Sequence, residues 1–144
     1  MREIIHAVSV GAAPSPVYDA LTTEAGLTGW WTKKAAVEPG EGGVIRFTFG
    51  GDFNPEMKQT RLERNRRIEW RCVGGHANWL DNTFSFALEA RDGETLLMFR
   101  QDYARELSDE VYGTYNFNWG YYLNSLKSLC EKGAGTPYTP PAVK

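Results

Sequence analysis

Cysteine is scarce in this chain. Cys72 and Cys130 are the two thiols among 144 residues, far apart and without CxxC or metal-ligand spacing. That excludes a disulfide-stapled scaffold and a thiolate zinc site. Histidine is equally sparse, and His6 and His76 cannot build a three-histidine metal centre. The sequence also lacks an HExxH pair, a Walker glycine loop, a Ser-His-Asp order and a clustered carboxylate pair, so neither a metal nor a cofactor is expected. No apolar run approaches the ~20 residues of a membrane span. The opening segment, interrupted by His6 and Ser9, has no signal-like apolar region. With two reduced thiols, the expectation is a cytoplasmic protein. Charge of one sign is missing as well: 16 basic and 18 acidic side chains leave a net charge of -2. Such a chain has no global field to draw in a phosphate backbone, which disfavours nucleic acid as a partner.

Aromatic residues, in contrast, make up 13% of the chain, with five Trp, seven Tyr and seven Phe. A chain of this length folds as one domain, residues 1–144, and has enough core to do so without staples. The β-branched run Ile4 to Val10 reads as a first strand. Ser15 as cap and Pro16 at the first helical position then predict a short helix to Thr22, and Thr23 caps a second short helix that ends in Trp30 and Trp31. From Lys34 to Tyr103 the period is two, punctuated by Gly and Asp-Gly, which describes an antiparallel meander. Asp92-Gly93 predicts a type I′ turn that sets Arg91 opposite Glu94, Leu88 opposite Leu97, Phe86 opposite Phe99 and Phe84 opposite Gln101. For the preceding hairpin, a five-residue turn from Glu63 to Arg67 pairs Leu62 with Ile68 and Thr60 with Trp70, keeping apolar residues together. The one long helix runs from about Asp109 to Lys132 and stops at Gly133. Tyr112, Tyr115, Trp119, Tyr122, Leu123, Leu126, Leu129 and Cys130 fall on one stripe that must face the sheet. Gly113 and Gly120 share a flank of that helix, where close approach of backbone or ligand would account for them. Residues 133–144 read as an irregular tail.

Strand, two short helices, meander and long terminal helix make an α+β chain, the order of a helix-grip in which a curved antiparallel sheet wraps one helix. Two segments carry a resemblance. Ala20-Leu21-Thr22-Thr23-Glu24-Ala25-Gly26-Leu27-Thr28-Gly29-Trp30-Trp31 resembles the "ALTxxxGLxxWW" segment of the proteins homologous to the activator of the heat-shock protein 90 ATPase. Trp119 to Lys127 followed by Glu131-Lys132-Gly133 is similar to that family's "WxxxLxSLKxxxExG" helix. The family belongs to the START-like (SRPBCC) superfamily, and the resemblance implies a helix-grip fold with a cavity between sheet and helix. It says far less about function, because the same fold hosts lipid carriers, receptors, cyclases and co-chaperone domains.

The leading expectation is therefore a small hydrophobic or aromatic ligand held between sheet and C-terminal helix. Its lining would come from Trp30, Trp31, Phe49, Trp70, Phe84, Phe86, Phe99, Gln101, Tyr103, Tyr115, Trp119, Tyr122 and Leu123. Gln101 or the Tyr122 hydroxyl would orient a polar head, and one of the Trp30-Trp31 rings would pack inward while the other covers an opening. A protein-interaction module is the alternative, acting through the arginine-rich hairpin of Arg61, Arg64, Arg66, Arg67 and Arg71, although interleaved Glu63 and Glu69 point to a solvated charged surface. A cyclase- or hydrolase-like enzyme ranks below both, with His76, Asp102 or a tyrosine as weak acid-base candidates. His6, sharing a face with Ile4, Val8 and Val10, reads as a core-adjacent histidine held by one hydrogen bond. The sequence leaves monomer and homodimer both open.

Overall fold

The computed structural model describes residues 2–141. In chain order the elements are β1 (Glu3–Val10), α1 (Pro14–Thr22), α2 (Glu24–Trp30), β2 (Lys34–Val37), β3 (Val44–Thr48), β4 (Glu56–Glu63), β5 (Arg67–Gly74), a 3-10 turn (Ala77–Trp79), β6 (Thr83–Arg91), β7 (Glu94–Asp102) and α3 (Asp109–Lys132). The seven strands form one antiparallel sheet in the order β1-β7-β6-β5-β4-β3-β2, gripping α3 on its inner face. This is the α+β helix-grip expected from the order of elements. Among the described residues, no helix is long and apolar enough to cross a membrane.

The β6–β7 hairpin has the expected register throughout, from Arg91 opposite Glu94 to Phe84 opposite Gln101. Its turn places both Asp92 (φ 51) and Gly93 (φ 82) in the left-handed region that a type I′ turn demands. The β4–β5 hairpin departs from expectation at one point. Leu62 does face Ile68, but Trp70 faces Gln59 rather than Thr60, because the ladder slips between Gln59 and Arg61. The slip leaves Thr60 as an extra, outward residue and turns the Gln59 side chain inward. There its Nε2 donates to the Glu38 carbonyl at 2.8 Å, tying the β2–β3 loop to the sheet. A period-two reading cannot anticipate a residue that the ladder skips.

Helix α1 begins at Pro14, earlier than expected. Ala13 stands at its N-cap with no side-chain bond, so Ser15 lies inside the first turn rather than capping it. The caps expected at Thr23 and Gly133 are present. Thr23 Oγ1 accepts from Gly26 N at 3.0 Å, and Gly133 closes α3 with φ 82. Ser108 caps the other end of α3, its hydroxyl accepting from Val111 N. The α3 stripe meets the sheet as read: Trp119, Leu123 and Leu126 are fully buried, and Tyr112, Tyr115, Tyr122, Leu129 and Cys130 pack against the same core. His6 accepts the bland reading too, with Nε2 2.9 Å from Asn116 Oδ1.

Residues 133–141 are irregular but docked, and the last three residues of the expected tail lie outside the described residues. Tyr138 N donates to Trp31 O at 2.8 Å, Lys33 N donates to Tyr138 O at 2.9 Å, and Thr136 N donates to Ser125 Oγ at 2.7 Å. These bonds lay residues 134–138 along the end of α2. Burial pushes the thiols of Cys72 and Cys130 above their ordinary range, Cys130 to about 11, which keeps both protonated and unreactive.

Gly26 of α2 lies hard against the backbone of α1. A Cβ there would stand 2.4 Å from the Ala20 Cα, which is backbone and cannot step aside. Gly120 is different: its nearest neighbour would be His6 Cε1 at an ordinary 3.6 Å. The same substitution should thus act with opposite signs. Gly26→Ala is expected to cost about 1–3 kcal/mol, and Gly120→Ala to add about 0.5–1 kcal/mol through helix propensity, both read from urea denaturation midpoints.

Candidate functional site

Five segments bring rings to one end of the grip. After β3 the chain turns through Phe49-Gly50-Gly51-Asp52-Phe53, where Gly50 (φ 117) and Gly51 (φ 56) take positive φ. Asn54 fixes that turn: its Oδ1 accepts from Phe49 N at 3.0 Å and Gly50 N at 2.9 Å. Phe49 and Phe53 are thereby held with ring centres 4.8 Å apart. The β5–β6 connection supplies His76 and Trp79, and Trp31 ends α2. From α3 come Tyr115, Asn118, Trp119 and Tyr122, spaced by three, one and three so that they share one helical face. Tyr138 and Pro141 of the tail close the ring. Together they surround a cavity of about 530 Å³, partly open to solvent.

Trp31 is its inner wall. The indoles of Trp30, Trp70, Trp79 and Trp119 all lie within 28° of parallel to it, at centroid distances from 5.1 to 6.3 Å. The edges of Phe47 and Phe49 meet it at 4.5 and 5.1 Å. The tryptophan pair has therefore divided its roles. Trp31 faces the cavity, whereas Trp30 is wholly interior, its Nε1 donating to the Ala20 carbonyl at 2.9 Å.

Of the sequence candidates, Trp31, Phe49, Tyr115, Trp119 and Tyr122 line the cavity, as does His76. Trp30, Trp70, Phe84, Phe86, Phe99, Tyr103 and Leu123 do not. They pack on one another as solid core, for example Phe86 on Phe99 at 5.2 Å and Trp70 on Phe86 at 4.9 Å. These rings fill one another's gaps, and the open space beside α3 lies to one side, toward the β3–β4 turn. Gln101 is buried behind the wall and acts on the cavity only through Trp119, whose Nε1 donates to Gln101 Oε1 at 2.7 Å. Asp102 sits on the outer side of the sheet, accepting from Arg100 Nε at 3.0 Å, away from His76. Gly120 faces His6 rather than the cavity. Phe53, Trp79, Asn118 and Tyr138 are lining residues that the pattern of strands and helix did not single out, because they belong to turns, to the exposed flank of α3 and to the tail.

The polar side of the cavity centres on His76. Its Nδ1 lies 2.9 Å from the Asp52 carbonyl, which can only accept, so the proton is on Nδ1. Nε2 lies 2.6 Å from the Tyr115 hydroxyl, a group that can donate or accept. Asn78 Nδ2 donates to the same oxygen at 3.2 Å. Burial raises the Tyr115 phenol above the ordinary tyrosine value and the nearby Asp52 carboxylate adds to the rise, so it remains a hydrogen-bond donor at neutral pH. Tyr122 is raised by burial as well. The side chains of Asn118, Tyr122 and Tyr138 make no hydrogen bond to the described residues. Among those residues, no group of three His, Cys, Asp or Glu side chains is placed to hold a metal ion.

The arginine-rich hairpin is a charged surface. Arg61 and Arg67 both reach Glu69, Arg61 also contacts Glu63, and Arg64 lies 3.5 Å from Asp19.

Residues 11–131 match the family described as Activator of Hsp90 ATPase homolog 1-like protein. No curated protein matches the chain. Among solved structures, the Aha1 dimer of Colwellia psychrerythraea is 34% identical, with a TM-score of 0.84 over 94% of this chain and 100% of that one. A Mesorhizobium loti protein is 20% identical, with a TM-score of 0.75 over 89% of this chain and 96% of that one. CalU16 of Micromonospora echinospora is also 20% identical, with a TM-score of 0.73 over 94% of this chain and 77% of that one. The last two share the fold alone.

Behind the cavity wall, the Tyr103 hydroxyl, Trp79 Nε1 and Gln101 Nε2 face one another in the core without aligned partners. Burial pushes the Tyr103 phenol far above its ordinary 10.0, with the neighbouring indole and amide pulling only part of the way back. The unfolded chain sheds that proton first, so stability is full below pH 10 and is lost as the pH rises further. Tyr103→Phe removes an unsatisfied hydroxyl and should leave stability at pH 7 within about 1 kcal/mol. It should also soften the alkaline loss, both seen by urea denaturation at pH 7 and pH 11. A loss of several kcal/mol at pH 7 would show instead that the hydroxyl is well bonded.

Proposed function

The chain belongs to the Activator of Hsp90 ATPase homolog 1-like family, and from that membership and the cavity geometry we propose that it binds a small hydrophobic or aromatic molecule between the sheet and the C-terminal helix. The observation that supports this most is the 530 Å³ of space beside the parallel indoles of Trp31, Trp79 and Trp119. Cavities of roughly 300–1,000 Å³, mostly apolar with a few placed polar groups, are the usual form of small-molecule sites. Burial of a flat apolar body against these rings would drive binding. The Tyr115 hydroxyl, Asn118 and Tyr122 would orient whatever polar group it carries. The reading is of a cytoplasmic binding protein more than of an enzyme: Asp102 lies on the outer face of the sheet with Arg100, and His76 and Tyr115 in the cavity are hydrogen-bonded to each other. The arginine hairpin favours a protein partner less, because Arg61, Arg64 and Arg67 are engaged with carboxylates of the same chain.

The test compares the mass of purified protein under native and denaturing conditions. An adduct of a few hundred daltons that is lost on denaturation is the expected result. Asn118→Trp, placed on an exposed position of the cavity rim, should fill the opening and remove the adduct while the circular dichroism spectrum stays unchanged. An adduct that persists in this variant would place the ligand elsewhere.

A second observation favours self-association. Phe117 on the outer face of α3 is 78% exposed and Tyr121 51% exposed. Gly113, one turn before Phe117, has nothing within 4 Å of where a Cβ would stand. Exposed rings beside open space at a glycine on one helix face offer a surface that can meet its own copy under a two-fold axis, and the Colwellia relative is a dimer. Sedimentation should find a dimer that Phe117→Asp converts to a monomer without changing thermal stability. A wild-type monomer at high micromolar concentration would dismiss this assembly.

A further inference from the structure

The walls of the cavity are uneven in charge. Among the described lining residues there is no lysine or arginine, and the one ionised side chain is Asp52 at the lip. Both ring nitrogens of His76 are engaged within the chain, Nδ1 with the Asp52 carbonyl and Nε2 with the Tyr115 hydroxyl. The inner surface is ring upon ring: Phe53 stands at 82° to Trp79, and Trp79 and Trp119 lie 12° from parallel. Aromatic faces carry negative potential and attract a cation brought within about 6 Å of the ring centre.

We propose that the cavity selects by charge, and that its ligand is a planar aromatic cation, such as a quaternary or protonated nitrogen heterocycle of two or three rings. This rests on the ligand-binding reading above and adds the chemical class to it. Tyr115 and Tyr122 are seven residues apart on α3, which spans about 10 Å of wall and suits a body of that length. A cationic nitrogen near the lip would face the Asp52 carboxylate, while the rest of the ring system lies along Trp119. An anion of the same shape loses its hydration without gaining a partner of opposite charge. The hydroxyls of Tyr122 and Tyr138 and the amide of Asn118 are available to it, but they serve a neutral acceptor equally well.

The experiment follows the indole N–H signals of Trp31, Trp79 and Trp119 in a nitrogen-proton correlation spectrum during titration with N-methylquinolinium, 2-naphthol and 2-naphthoate. The three probes match in size and differ in charge. The expected order of affinity is cation, neutral, anion, with the cation favoured over the anion by at least about tenfold at low ionic strength and less as salt is added. Asp52→Asn is expected to weaken the cation about threefold and leave 2-naphthol unchanged, because an exposed carboxylate contributes modestly. Asp52 is exposed, so the variant folds as wild type. Equal or tighter binding of 2-naphthoate overturns the charge selectivity while leaving the cavity reading intact, as does a cation preference unaltered in Asp52→Asn. Failure of all three probes to shift these signals overturns both readings together.

Discussion

A seven-stranded open sheet has far more concave surface than one helix can cover, and Trp31 is where that mismatch is resolved. It stands at the last turn of α2, where the chain leaves the helices for β2. Its ring is nearly parallel to four other indoles drawn from α2, β5, the 3-10 turn and α3. Indoles are large and flat, so an offset stack fills the wide end of the grip with few atoms out of contact. Its backbone is also held: Trp31 N donates to Leu27 O, and its carbonyl accepts from Tyr138 N, so the tail can dock only where α2 ends. Packing at the centre of the molecule and the closure of the cavity rim thus depend on one residue.

Stacking alone does not orient the rings, and buried hydrogen bonds do. Trp30 Nε1 is tied to the Ala20 carbonyl and Trp119 Nε1 to Gln101 Oε1. Each bond spans two elements, α2 to α1 and α3 to β7. A neutral bond of this kind contributes about 1 kcal/mol net, yet leaving either indole nitrogen unpaired in the core would cost more than that. Such bonds specify ring orientation more than they add stability. The unsatisfied Trp70, Trp79 and Tyr103 groups show the opposite case, polar atoms retained for the shape and size of their rings.

Where a local rule operates, the sequence was a sound guide. Asp92-Gly93 settled a turn and with it the whole β6–β7 register, Thr23 and Gly133 marked helix ends, and the α3 stripe identified the face against the sheet. Three features escaped it for physical reasons. The bulge at Thr60 is a tertiary compromise that buries Gln59. The start of α1 moved because proline suits the first helical turn at Pro14 as well as at Pro16. For the site, aromatic content and alternation identified rings on the inner face but could not tell a filled region from a vacant one, since Phe84, Phe86 and Phe99 follow the same pattern whether or not space lies over them. The vacancy depends on how far the β3–β4 turn and the tail stand off from α3, and no period encodes that distance.

On the proposed function, the division between wall and lip would place ligand preference at the lip. Trp31 and Trp119 carry structural contacts on their far sides, so replacing either would disturb the core before it altered recognition. Asp52 and Asn118 are different: they are exposed at the opening and bear little of the packing load, while Tyr122 and Tyr138 each pack a ring against the wall and line the opening as well. His76 lies between the two groups, held by Asp52 from one side and Tyr115 from the other. A fold of this kind can therefore change its ligand by exchanging a few rim residues while the stacked indoles stay in place. That separation explains in physical terms how one architecture serves many cavities, and why family membership by itself does not name the occupant.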